Sequence, residues 1–311
     1  MTVKLSIFGT ISPPAFVPSK FLCGITLELK PFTCRCYTSR ASITLPGEIM
    51  GMRTLSKARG EIRVYGNGQE LALEAAKEFA RLADQYVVGL GRFTGVLSGG
   101  STPRAMFSLL AEEPFRTSVP WASIYFFWGD ERAVPPTHSG SNYRMAMETL
   151  LSKVPVPPEN IFRIPAELDD HERAAREYSE SIRHFFSGGA APGTAPLSAW
   201  PRFDLVLLGM GSDGHTASLF PRTAALKVSD QIATPNYVEK LNAHRITLTT
   251  TTINNARNVA FLIAGADKAE ALKSVIDGPA TPDVYPSQLI QPRSGRLIWM
   301  VDEEAAAKLA G

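Results

Sequence analysis

Cysteine is scarce in this chain: three of its 311 residues, Cys23, Cys34 and Cys36, and none from residue 37 onward. The body of the chain therefore has no disulfide framework, no cysteine-type zinc site and no cysteine nucleophile. That usage fits a reducing compartment and predicts a cytoplasmic location. Long apolar runs are missing as well; no stretch of eighteen or more apolar residues is present to span a membrane. Net charge is small, 32 Lys and Arg against 30 Asp and Glu, which leaves no electrostatic footprint for nucleic acid. No Walker G-x-x-x-x-G-K-[ST] occurs, so a nucleotide triphosphate is not favoured. The G-x-S-x-G of a serine hydrolase is absent too, because Gly95-Val96-Leu97-Ser98 has the wrong spacing, which argues against Ser98 as a nucleophile.

The charge that is present is unevenly spread. Residues 1–58 carry Lys4, Lys20, Lys30, Arg35, Arg40, Arg53 and Lys57 against Glu28 and Glu48, which leaves the remainder slightly acidic. This stretch is rich in Pro, Ser and Thr, has no sustained period and lacks the compact apolar core of a secretory signal. We read it as a poorly structured basic leader, with a start at Met50 or Met52 as a variant of that reading. An organelle transit peptide, and hence organelle import, is the alternative. Residues 59–311 are expected to form a single domain.

From residue 61 short apolar strands alternate with longer helical segments. EIRVY, TGVLS, SIYFFW, NIFRI, FDLVLL, RITLT, NVAFLIA and LIWMV are short, rich in β-branched or aromatic residues, and read as strands. Between them QELALEAAKEFARLADQYV, TPRAMFSLLAEE, NYRMAMETLLSK, DDHERAAREYSESIRHFF and DKAEALKSVID have apolar residues at helical spacing. The alternation predicts an α/β fold, an open, mainly parallel Rossmann-like sheet with helices on both faces, with its ligand at the carboxyl ends of the strands. SGGAAPGTAPLSAWP, 187–201, reads as a surface loop, and no internal repeat is found.

Three loops that follow strands carry the chemistry. In LSGGSTPRAMFSLL the strand runs into Ser98, Gly99, Gly100, Ser101 and Thr102 before a helix. Glycines allow close backbone approach, and the helix start offers free N–H groups, which is how a phosphate is held without a P-loop lysine. The same letters serve as a plain turn with Thr102 as N-cap and Pro103 at N1. In YFFWGDERAVPPTHSGSNYRMAMETLL an aromatic strand delivers Asp130, Glu131 and Arg132 at its carboxyl end, where open α/β sheets bind ligands. A solvated turn with local ion pairs is the competing reading. His138 in this loop reads as a loop residue.

The third loop, FDLVLLGMGSDGHTASLFP, spells G-x-G-x-x-G with Gly209, Gly211 and Gly214 after a strand. A dinucleotide site needs a long helix after the third glycine and an acid about 20 residues on. Asp230 is at a tolerable distance, but Pro221 leaves too little room for that helix. The glycines read instead as a tight crest exposing Asp213 and His215. An imidazole, with an ordinary pKa of about 6.5, suits general-base work near neutrality. A lone His capping a short helix is the bland alternative, and it is the one we give to His171, His184 and His244.

SGGSTP (98–103), WGDER (128–132) with SNYRMA (141–146), and GMGSDGHTASLFP (209–221) together resemble the 6-phosphogluconolactonase family, part of the group that includes glucosamine-6-phosphate deaminase/isomerase. RITLT and GADKAEAL (265–272) add to the resemblance, which covers roughly residues 61–303. It implies hydrolysis of 6-phospho-D-glucono-1,5-lactone to 6-phosphogluconate in the oxidative pentose phosphate pathway, with no metal and no organic cofactor. It also implies His215 as the base that activates water, Asp213 or Asp130 orienting it, and Arg132 stabilising the oxyanion. Ser98, Gly99, Gly100, Ser101 and Thr102, with Lys268, would hold the 6-phosphate, and Arg245 is a second substrate candidate that could equally be a strand-edge residue. The expected partner is thus a phosphorylated sugar lactone, with neither nucleic acid nor membrane, and the oligomeric state is not read from the sequence. Two rivals remain. The deaminase follows DGH with a stretch carrying a functional Glu, whereas TASLFP holds no acid. A non-catalytic sugar-phosphate sensor should carry a helix-turn-helix, which the proline-rich first 60 residues do not supply.

Overall fold

Phe93, Gly95, Val96 and Leu97 are apolar on every side of their strand, as a strand buried on both faces requires. In the computed structural model, which describes residues 53–57, 59–188 and 200–310, this segment lies inside a seven-stranded sheet. The strands are β1 (Arg53–Lys57), β2 (Gly60–Tyr65), β3 (Phe93–Leu97), β4 (Ile124–Trp128), β5 (Asp130–Arg132), β6 (Leu205–Leu208), β7 (Ala233–Val238), β8 (Ala243–Leu248), β9 (Asn258–Ile263) and β10 (Arg296–Asp302). The helices are α1 (Gly68–Leu90), α2 (Ser101–Leu110), α3 (Phe115–Ser118), α4 (Asn142–Ala146), α5 (His171–Phe186), α6 (Thr250–Asn254), α7 (Ala269–Ile276) and α8 (Glu303–Ala306). The large sheet has the order β1-β2-β10-β9-β6-β3-β4, parallel throughout except for β1. The fold is thus the expected α/β sheet, mainly parallel.

α1 begins where Asn67 accepts hydrogen bonds from the backbone N–H groups of Gln69 and Glu70, both 2.9 Å, and stops at Gly91, whose φ of +74° suits glycine. Its buried face sets Phe79 against Phe93 and Phe126, with Trp121 alongside. Gly95 lies directly under this cluster, where a Cβ would come to ordinary contact distance, 3.5 Å, of the Phe79 ring. α5 is tied to the sheet by Tyr178, whose hydroxyl donates to Trp128 O and accepts from Trp128 N, each 2.8 Å. Complete burial drives the Tyr178 phenol pKa far up, so it stays a neutral donor.

The structure departs from the sequence reading at several segments. NIFRI, 160–164, is not a strand: Pro158–Asn160 is a 3-10 turn and only Ile161 bridges to Phe126. Two prolines ahead of it, Pro157 and Pro158, keep that segment from laddering. β7 was not anticipated, because ATPNYV contains a proline and too few apolar residues; it forms a second, antiparallel sheet β5-β8-β7. The helix over 142–153 divides into α4 and one π-helical turn, Met147–Leu151. β1 lies inside the segment read as leader and pairs antiparallel with β2, Arg53 to Val64 through Lys57 to Gly60. Residues 189–199 of the expected 187–201 loop, and residues 1–52, lie outside the described residues.

Candidate active site

Because β3, β4, β6 and β9 are parallel, the segments that follow them emerge at one edge. There they line a cavity of about 260 Å³. Ser98, Gly99, Gly100, Ser101 and Thr102 from behind β3, Asp130 and Arg132 from β5, His215 from behind β6 and Lys268 from behind β9 all reach it.

The 98–102 loop turns into α2 two residues earlier than the sequence implies. Gly100 is the N-cap, with φ +110°, and no side chain caps the helix. Thr102 at the N-cap and Pro103 at N1 are therefore corrected: glycine's access to positive φ starts the helix at Ser101. The N–H groups of Ser101 and Thr102 precede the first intrahelical bond, from Arg104 N to Gly100 O at 3.1 Å, and so remain available to an anion. Gly99 is needed for a different reason. A Cβ there would sit 2.0 Å from Asn142 Oδ1.

Asn142 is brought to that spot by Glu131. The buried Glu131 carboxylate accepts from the backbone N–H groups of Arg132, Asn142 and Tyr143, all at 2.8 Å, and from Ser141 Oγ at 3.0 Å. Burial pushes its pKa up, and the three amides recover only part of that shift. Asn142 Nδ2 in turn donates to Asp130 O at 3.0 Å. Asp130, buried itself, accepts from Ser218 Oγ at 2.7 Å, so one carboxylate joins the second loop to the third.

The third loop holds its histidine between Gly211, Asp213 and Phe220. No helix follows Gly214; residues 216–219 make a single β-bridge, and the next helical turn is the 3-10 segment Ala224–Lys227. Gly214 has φ +75°, and a Cβ on Gly211 would collide with the His215 ring at 2.1 Å. His215 Nδ1 hydrogen-bonds Asp213 Oδ1, and the His215 backbone N–H donates to the same oxygen at 3.2 Å. Asp213 Oδ2 pairs with Lys240 Nζ. Phe220 stacks on the imidazole with centroids 4.0 Å apart and planes 19° from parallel. Burial alone would raise the Asp213 pKa, but the hydrogen bonds from His215 and Lys240 outweigh it and hold the carboxyl well below the usual range. An ionised Asp213 keeps the proton on Nδ1, and Nε2 is then the imidazole's acceptor nitrogen. Of the two carboxylates considered for orienting this ring, Asp213 is the one that touches it; Asp130 is occupied by Ser218 and Asn142.

Arg132 lines the cavity and its guanidinium is anchored on Gly140 O. Arg245 is its register partner across β5 and β8, half-buried, and not among the residues that line the cavity. Burial, then the Arg132 charge, lowers the Arg245 pKa, and its Nε is buried without a hydrogen-bond partner. Lys268 ends a 3-10 turn after β9 and pairs with Asp267 at 2.8 Å. His138 only closes its own turn, accepting from Gly140 N at 3.0 Å, while His171 stacks on His244 with centroids 4.3 Å apart. Asn142, Ser218 and Phe220 lie inside the motifs SNYRMA and GMGSDGHTASLFP but carry no assigned role in the sequence reading, and Lys240 lies outside every motif. Among the described residues no group of three or more His, Cys, Asp or Glu is arranged to hold a metal.

A family model described as glucosamine-6-phosphate isomerases/6-phosphogluconolactonase matches residues 66–299. The chain is 41% identical over 264 residues to probable 6-phosphogluconolactonase 1 of Arabidopsis thaliana, covering 84% of this chain and 97% of that protein. It is 36% identical to the chloroplastic 6-phosphogluconolactonase 3 of the same plant, over 80% of this chain and 75% of the relative. The solved 6-phosphogluconolactonase of Trypanosoma brucei superposes with a TM-score of 0.68 at 29% identity, covering 82% of this chain and all of the other.

Proposed function

The chain belongs to the glucosamine-6-phosphate isomerases/6-phosphogluconolactonase family, and from that premise we propose that it hydrolyses 6-phospho-D-glucono-1,5-lactone to 6-phosphogluconate by general-base activation of water. The observation that carries this reading is the Asp213–His215 pair at the cavity. In the step we assign, His215 Nε2 takes a proton from water as the water oxygen bonds to C1. The carbonyl electrons move onto oxygen, and the cationic Arg132 stabilises that oxyanion. Collapse re-forms the carbonyl and breaks the C1–O5 bond, and the imidazolium returns the proton to the O5 leaving group. A lactone is an activated ester, so no covalent nucleophile is needed, and the step written this way needs no metal or cofactor.

The 6-phosphate is assigned to the 98–102 loop and Lys268, which line the same cavity as the imidazole. Binding energy from that remote group holds C1 in reach of the base. Arg245 is left outside this scheme. The catalytic domain is taken to begin with β1, and residues ahead of it are a leader, read as an import signal only if mass spectrometry finds the mature N-terminus near residue 50. The function itself is tested with freshly made 6-phosphogluconolactone, subtracting its spontaneous hydrolysis, beside glucosamine 6-phosphate. Turnover of the lactone alone is expected; release of ammonia from the amino sugar with no lactonase activity overturns the proposal.

A further inference from the structure

Four neighbouring strands of the sheet start from an arginine. Arg92 directly precedes Phe93 of β3, Arg202 stands shortly before Leu205 of β6, Arg257 directly precedes Asn258 of β9, and Arg296 is the first residue of β10. These strands run parallel in the order β10-β9-β6-β3, so the arginines collect at the amino-terminal edge, opposite the edge that carries His215. A cavity of about 370 Å³ opens there, lined by Arg81, Tyr86, Arg202, Arg257, Asn258 and Arg296 among others. That is within the range of small-molecule sites.

The charge at this edge is not balanced. Glu61 and Glu78 are shared by Arg63, Arg81 and Arg296, and Asp204 faces Arg257 at 3.1 Å. Arg202 has no carboxylate partner among the described residues. Its terminal nitrogen donates to Ser294 Oγ at 2.9 Å, while its Nε is buried without an acceptor. A buried guanidinium N–H left unpaired is costly unless something accepts from it. Tyr86 gives the cavity an aromatic wall, fixed by a 3.0 Å bond from Asn258 Nδ2 to its hydroxyl and by the Arg257 guanidinium 6.0 Å from its ring centre. Interleaved Glu61 and Glu78 would repel the continuous backbone of a nucleic acid. None of Glu61, Glu78 and Asp204 is among the residues that line the cavity, so a single compact dianion is matched to the arginine forks there.

We propose that this amino-terminal cavity is a second anion site, taking a small phosphorylated molecule through its phosphate, with Arg202 as its central donor. Guanidinium forks match phosphate oxygens two at a time, which a lysine-lined surface would not do. The site is separate from the one assigned to the substrate phosphate, and the two are told apart by substitution. Equilibrium dialysis of the full chain with radiolabelled inorganic phosphate is expected to show two sites. Lys268→Gln should weaken one, and Arg202→Gln should weaken the other about tenfold or more, given the strength of charged hydrogen bonds, with lactonase kcat and KM unchanged. Arg81→Gln, on the exposed side of α1, should weaken that same second site and guards against a folding defect in the Arg202 variant. One site in the wild type, together with an isotherm that neither Arg202→Gln nor Arg81→Gln alters, overturns the proposal. Loss of the Arg202-dependent site alone leaves the catalytic assignment standing, and an unresponsive Lys268 variant damages that assignment without touching this one.

Discussion

Glu131 and Asp213 are both carboxylates at the carboxyl edge of the sheet, and burial pushes the pKa of each upward, yet they end on opposite sides of the ordinary value. Glu131 is surrounded by three amides and a hydroxyl, all neutral, with the Asp130 charge beside it. Asp213 meets Lys240 and His215, groups that carry or can carry positive charge. At the deeply buried Glu131 the neutral donors do not offset desolvation, whereas at the more exposed Asp213 the hydrogen bonds and charges of His215 and Lys240 outweigh it. The same side-chain chemistry thus produces a staple in one loop, tying 130–132 to the start of α4, and in the other a partner ionised at neutral pH that fixes which imidazole nitrogen is free.

The sharpest way to break this contrast is at the base. His215→Ala should lower lactonase kcat about 10²–10⁴-fold, the usual worth of a positioned base. Binding of 6-phosphogluconate, measured by calorimetry, should survive, because the phosphate contacts lie on other loops. Full activity in that variant would remove His215 from the chemistry and reduce the crest to a structural turn.

Glu131→Gln comes next and acts on stability. Each carboxylate oxygen of Glu131 accepts from a backbone N–H: Oε1 from Arg132 and Asn142, Oε2 from Tyr143. Whichever way a glutamine amide is turned, its NH₂ faces an N–H that has lost its acceptor. We expect a loss of about 1–3 kcal/mol, the cost of one unsatisfied buried polar pair, seen as a lower urea midpoint with an unchanged slope. An unaffected midpoint would mean that the staple is not what holds the 133–142 loop.

Much of this edge was legible in the sequence. The alternation of strand and helix placed the three loops after β3, β4 and β6, and the positions of Pro221 and the glycines ruled out a dinucleotide helix. What was not legible depends on tertiary approach. Gly99 looks like a phosphate glycine, yet its hydrogen is required by Asn142 from 43 positions on. Thr102 and Pro103 made a good cap and first turn on local chemistry, but local chemistry does not know that Gly100 takes φ +110°. Lys240 sits in the turn joining β7 and β8, and β7 itself carries Pro235, so neither the strand nor its turn announced itself. The arginines at the starts of β3, β6, β9 and β10 are far apart in the sequence; their convergence follows only from strand order.

Lys240 gives the smallest effect and the finest test of the contrast. Its side chain is 56% exposed, so its ion pair with Asp213 is worth about 0.2–1 kcal/mol. Lys240→Met should therefore lower kcat/KM no more than about fivefold, with Lys240→Arg restoring it and high salt mimicking the loss in the wild type. The acid limb of stability gives an independent reading. Asp213 is depressed in the folded state, so its contribution is present above the unfolded carboxylate value and is lost as pH falls through the lower folded one. Removing Lys240 raises that folded value, and acid unfolding should begin at a higher pH. If Lys240→Met instead abolishes turnover while leaving acid unfolding unmoved, the ammonium acts on the substrate itself, and the low pKa of Asp213 must be credited to His215.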